Sequence, residues 1–143
     1  MSHVTTADCH VMSIPALEKA VVDLGGCVTK KSTFKWFDRH VGDYPLPEGY
    51  SVEDLGKCGY AISFPGADYE IGVVKRKDGK PGYTFMYDFY QQHKLMQIIG
   101  KDACHLKQAY TVRAYEEQVL MKFKTSCNIK KVGNKVVVQF SKF

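Results

Sequence analysis

At 143 residues, 45% of them hydrophobic and 24% charged, the chain has the composition of one globular domain, and this excludes a disordered or low-complexity protein. No apolar run approaches the roughly 20 residues that a membrane-spanning helix requires. A formal net charge of +5 favours anionic partners over cationic ones but falls short of the strongly basic balance of a dedicated nucleic-acid domain.

In chain order, Ser2 to Val11 carries a weak strand pattern, and the N-terminus lacks the basic start, apolar core and small-residue cleavage site of a signal peptide. Five cysteines, odd in number and scattered, do not form a secreted disulfide framework, so the expectation is reduced thiols in a cytoplasm. The period then changes. Ile14, Leu17, Ala20, Val21 and Leu24 fall at helical spacing, with Ser13 placed to cap the start and Gly25-Gly26 to end it. Cys27 to Phe37 reads as a strand. Residues 38–57, rich in proline and glycine, read as a long surface excursion and a probable insertion, of the length that is often functional.

Cys58 to Pro65 and Tyr69 to Lys77 are further strands, and Tyr83 to Tyr90 alternates most clearly. Tyr83, Phe85, Tyr87 and Phe89 share one face, expected beneath the helices, while Thr84, Met86, Asp88 and Tyr90 share the other. Between them, Asp-Gly and Pro-Gly supply a turn, making a β-hairpin. His93 to Ile99 predicts one or two helical turns. From Ala103 a second long helix follows, with Leu106, Ala109, Val112, Tyr115, Val119 and Phe123 as its stripe and an exposed Arg113–Glu117 pair. Two short strands about Gly133-Asn134 close the chain, with Val136, Val138 and Phe140 on one face. The sum is a single α+β domain over residues 1–143, an antiparallel or mixed sheet with two main helices packed on one face.

The segments MSHVTT, ALEKAVVDLGG, ADYEIGVVKRKDGKPGYTFMYDFY and QAYTVRAYEEQV, with the closing strand pair, resemble in this order the small uncharacterised proteins of cyanobacteria, algal plastids and bacteriophages. The similarity skips about Lys35 to Lys57, and Asp88-Phe89-Tyr90 stands where such proteins tend to carry Asp followed by tryptophan or another aromatic. The resemblance implies one small soluble domain, for a phage-encoded member acting in a host cytoplasm, and lends no site residues.

The chemistry-bearing residues fall into few patterns. Cys9-His10 and Cys104-His105 are adjacent pairs, whereas structural zinc sites draw on spaced knuckles, because neighbours on a strand point to opposite faces. Whether the two pairs converge is open from sequence, and no metal or cofactor is expected. No G-x-S-x-G, P-loop or G-x-G-x-x-G is present, and no spacing forces two carboxylates together. Asp88 is the acid to watch, either binding a ligand or holding a neighbouring loop. An enzymatic use of Asp88 with a histidine would require an enclosed pocket that no spacing reveals.

Lys75, Arg76, Lys77 and Lys80 crowd the hairpin tip. Beside Tyr83 and Tyr90 they are the combination used by single-strand binders, yet lysines at a tip also keep a sheet edge from pairing, and the favoured reading is the plain one, a buried aromatic face with a solvated basic tip. The leading expectation is a non-enzymatic module that binds another protein through residues 38–57 or the hairpin edge. The alternative is nucleic-acid or anionic-ligand binding through the basic hairpin 74–90. The candidate partner- or anion-binding residues are Lys75, Arg76, Lys77, Lys80, Tyr83, Asp88 and Tyr90.

Overall fold

A computed structural model describes residues 3–7, 9–36, 45–89, 92–123, 125–132 and 135–142. Tyr90, the Gly133-Asn134 turn and positions 38–44 of the expected excursion lie outside the described residues. The elements are β1 (Val4–Thr6), α1 (Ile14–Asp23), β2 (Cys27–Thr29), β3 (Tyr60–Ser63), β4 (Ile71–Lys75), β5 (Tyr83–Asp88), α2 (His93–Ile99), α3 (Cys104–Phe123), β6 (Thr125–Val132) and β7 (Lys135–Lys142). The first five strands form one sheet in the order β1-β5-β4-β3-β2, and every pairing in it is antiparallel. β6 and β7 pair with each other in a separate two-stranded sheet. The chain is therefore an α+β protein.

Register assigns the faces. Phe85 stands opposite Val73, and Val73 opposite Tyr60, so these side chains and their i±2 neighbours Tyr87, Ile71 and Ile62 share one face. That face meets Leu17, Ala20 and Val21 of α1, Leu95 and Ile99 of α2, and Leu106 and Tyr110 of α3 in one buried cluster. Burying each large side chain of this set contributes about 1.5–3 kcal/mol. The alternation from Tyr83 predicted this placement, and Phe85 and Tyr87 lie under the helices as expected.

The ends of α1 follow from the sequence. Ser13 accepts the Ala16 amide on its hydroxyl, and beyond the last turn Gly25 takes a φ of +88°. The Gly25 and Gly26 amides then donate back to the Val22 and Val21 carbonyls, which would otherwise end the helix without partners. The stripe of α3 is rotated from the expected one: Leu106, Tyr110 and Val119 are buried, whereas Tyr115 is 52% exposed. The predicted Arg113–Glu117 pair is also replaced. Arg113 reaches across to Asp23 of α1 through Nε and Nη2, both at 2.7 Å, and Nη1 meets Glu116 at 3.1 Å. Glu117 accepts instead from the Ser13 hydroxyl at 2.8 Å. Arg113 thus joins a carboxylate on α1 to one on its own helix, while Glu117 turns to the residue that opens α1.

Tyr110 completes this seam. Its hydroxyl oxygen accepts the Met12 and Ser13 amides at 2.9 and 3.2 Å, so α3 caps the entry to α1. Tyr110→Phe leaves both donors without that acceptor and is expected to cost about 1 kcal/mol, lowering Tm by about 3 °C. A thermal melt followed by far-UV circular dichroism checks this, and an unchanged melt would mean that water replaces the hydroxyl without loss.

The second face of the sheet corrects two expectations. The predicted strand from Cys27 to Phe37 ends at Thr29, and the chain leaves the edge to cross the face that carries Val74 and Met86. Phe34 and Leu55 are buried there with Val4, Ala61, Val74 and Met86, and Trp36, Tyr50 and Cys58 pack around them. The crossing is held by Thr33 bridging to Lys57, by the Phe34 amide donating to the Gly56 carbonyl at 2.9 Å, and by the Cys58 amide donating to Ser32 at 2.9 Å. Glu70 clamps its start, accepting from Lys31 Nζ at 2.7 Å and from the Lys35 amide at 2.8 Å. The described part of the expected excursion thus covers the sheet rather than standing off the surface. Helices, five-stranded sheet and covering segment thus form three layers.

Candidate functional site

The site grows from the β4–β5 hairpin and the turn that closes it. Asp78 organises that turn, accepting the Lys80 amide and the Arg76 Nε on Oδ1, both at 3.2 Å, and Arg76 Nη2 on Oδ2. The guanidinium and these donors hold the Asp78 carboxyl well below the usual carboxylate range. Arg76 Nη1 donates in addition to the Cys9 carbonyl. Arg76 is therefore a strut between the turn and the N-terminal segment, its side chain only 14% exposed, and not part of a solvated cluster as the sequence suggested. Val11 exchanges backbone hydrogen bonds with Tyr83 at 2.8 and 2.9 Å, and His10 Nε2 meets the Pro81 carbonyl, further fastening that segment to the hairpin.

The covering segment supplies the other wall. Tyr50 donates its hydroxyl to the Lys75 carbonyl at 2.7 Å, and burial pushes its phenol above the ordinary value. Lys77 Nζ lies 6.0 Å from the Tyr50 ring centre, at the outer limit of a cation–π contact. One turn on, Asp54 accepts the Ser51 amide at 2.8 Å and the Ser51 hydroxyl at 3.1 Å, which lowers its carboxyl, with Lys77 and Lys57 acting in the same direction.

Two clefts flank Tyr50. The larger, about 400 Å³, sets Arg76 and Lys77 against Glu48 and Asp78, so its formal charges balance. The smaller, about 270 Å³, is bounded by Tyr50, Tyr83 and Gly59 and sets Lys57, Lys75 and Lys77 against Asp54 alone. None of these three lysines forms an ion pair with a described residue. Tyr83 and Lys75 are direct cross-strand partners, and Tyr83 packs edge to face on Tyr60, 6.0 Å between ring centres. The cleft is cationic and aromatic at once.

The sequence-predicted residues are divided by this geometry. Lys75, Lys77 and Tyr83 line the cationic cleft, Lys80 is exposed on the turn but lines neither cleft, and Arg76 lines the balanced one. Asp88 stands at the far end of β5, five residues or about 17 Å along the strand from Tyr83. It is fully buried and accepts the His3 amide at 3.0 Å, tying β1 to the sheet. Sequence reasoning missed Tyr50, Lys57 and Gly59. The Ser51-x-x-Asp54 spacing, which marks a short helical turn, was the available signal that 45–58 is structured.

The two Cys-His pairs do not converge. Cys9-His10 lies beside the Tyr83 end of β5, whereas Asp102 and Cys104 act on Tyr87, four residues or about 13 Å further along. Among the described residues no three His, Cys, Asp or Glu side chains are grouped to hold a metal ion, and no helix is long and apolar enough to cross a membrane. No family model, curated protein or solved structure matches the chain.

Proposed function

We propose that this chain is a non-enzymatic binding module whose ligand is anionic, and that the ligand engages the cleft formed by Lys57, Lys75 and Lys77 between the β4–β5 hairpin and the covering segment. One observation carries this reading: three lysines from two separate segments meet around one cleft, against a single acid, Asp54, that already accepts the Ser51 amide and hydroxyl. Like charges brought together repel, and an anion relieves that repulsion while gaining three attractions. A protein partner at residues 38–57 was the first expectation from sequence. Its motive weakens because the described part of that segment has a packing role of its own. A cytoplasmic setting, where thiols stay reduced, suits the exposed Cys27 and Cys104.

The test is binding of fluorescent polyphosphate and of a 12-nucleotide oligothymidine at graded salt. Affinity is expected to fall steeply with salt, and Lys57→Ser/Lys75→Ser/Lys77→Ser to flatten the log–log slope by about 2, near 0.7 for each lost phosphate contact. No binding of either probe at low salt, or an identical slope in the triple variant, overturns the reading.

A further inference from the structure

We infer that the cationic cleft is a seat for one unstacked base of a single-stranded nucleic acid, with Tyr83 as its stacking wall and Lys57, Lys75 and Lys77 holding the adjoining phosphates. This rests on the anion-binding reading and narrows it from charge to chemical class.

Three features of the cleft go beyond what a bare polyanion needs. First, ring and cation are placed side by side. Tyr83 and Lys75 are opposed in the β4–β5 ladder, where Cβ atoms lie about 4.5–5.5 Å apart, so a base on the ring brings its own phosphate to the ammonium. Second, the ring is left accessible by a missing side chain. A Cβ at Gly59 would lie 3.6 Å from the Tyr83 ring, in ordinary van der Waals contact, so any larger residue there covers the tyrosine. Third, Tyr83 is half-buried, and no hydrogen bond to a described residue occupies its hydroxyl. That phenol is a donor and acceptor at the cleft wall, whereas the Tyr50 hydroxyl opposite is committed to the Lys75 carbonyl.

Size sets the occupant. At about 270 Å³ the cleft is smaller than the roughly 300–1,000 Å³ of pockets that enclose a whole drug-sized ligand or cofactor. A single planar ring fits this scale, with the rest of the strand passing over the lysines. A base in a duplex cannot reach such a wall without leaving its stack, so the site selects single strands.

The experiment compares three probes of equal nucleotide number and phosphate count: oligothymidine, the same backbone without bases, and a hairpin whose bases are paired in a duplex stem. Fluorescence anisotropy is read for the parent chain, Gly59→Leu and Tyr83→Leu. Gly59→Leu fills the cleft and covers the Tyr83 ring without removing a charge or a ring, so it stands if Tyr83→Leu weakens the fold. The parent is expected to bind oligothymidine about 10-fold or more tightly than the abasic strand, the effect of one stacked base. Gly59→Leu is expected to bring oligothymidine down to the abasic level while its salt slope stays parental. Equal parental affinity for oligothymidine and the abasic strand, with the steep salt slope intact, overturns the base seat and leaves the anion reading standing. Tighter binding of the duplex than of the single strand overturns it as well. No binding of any probe fails the anion reading itself.

Discussion

Phe34→Ala is expected to destabilise the chain by about 3–5 kcal/mol, more than any change at the lysine cleft, because it removes the ring that closes the second face of the sheet. Phe34 is 3% exposed and lies against Gly72, the second residue of β4, where an added Cβ would overlap the ring. The absent side chain at Gly72 and the ring of Phe34 are therefore one packing unit. Gly72→Ala alone forces a methyl into that ring and is expected to cost about 1–3 kcal/mol. In the double variant the methyl occupies part of the space the ring vacated, so the two costs are expected to sum to more than the double variant shows. Urea denaturation of the four proteins in this cycle checks it. Strict additivity would mean that the ring does not rest on Gly72. The effect reaches the site as well, since Tyr50 and Cys58 pack on the cluster that Phe34 closes. Phe34→Ala is thus expected to weaken anion binding without altering a charge.

What the sequence could and could not convey follows from the range of each signal. Periodicity is local, so α1, the β4–β5 hairpin and the buried face of Phe85 and Tyr87 were legible residue by residue. Termini were legible too, because Ser13 and Gly25-Gly26 act within one turn of the helix they bound. The rotation of α3 was not, because a tyrosine counts as apolar in a pattern although Tyr110 is held by its hydroxyl and Tyr115 faces water. The covering segment was illegible for another reason. Phe34, Tyr50 and Leu55 are spaced at no helical or strand period, since each side chain is placed by a separate contact with the sheet rather than by a repeating backbone pattern. The candidate site inherits that limit. Its hairpin half, Lys75, Lys77 and Tyr83, was visible as a basic knot beside an aromatic run, whereas Tyr50 and Lys57 come from a stretch that offered only turn signals, and Gly59 lies at the start of a predicted strand, where a missing side chain leaves no pattern. Asp88 was singled out for its oddness among aromatics, which was sound, but burial at the opposite end of β5 gives it β1 to hold.

Alkaline pH is expected to unfold the chain through Tyr87. This side chain is 2% exposed, and burial pushes its phenol from an ordinary 10.0 up to about 12, with Asp102 and Cys104 acting in the same direction. The folded state thus favours the neutral phenol, whereas the unfolded chain ionises near 10. A pKa raised by folding gives a contribution that is complete below about pH 10 and is lost as pH rises toward 12, when the unfolded chain has released a proton that the folded chain retains. A difference of about 2 units corresponds to about 3 kcal/mol at the upper end of that window. Cys58, pushed by burial from 9.0 up to about 11, adds a loss of the same sign that begins lower, between about pH 9 and 11. Tyr87→Phe keeps the ring in the core and deletes only the ionising group, so it separates the two. Stability measured by urea denaturation from pH 8 to 12 is expected to fall for both proteins through the Cys58 window. Above pH 10 the parent is expected to fall faster, closing about 3 kcal/mol on the variant. Parallel curves to pH 12 would show that the Tyr87 phenol ionises as readily in the folded chain as in the unfolded one, and would place that end of β5 in contact with water rather than beneath α3.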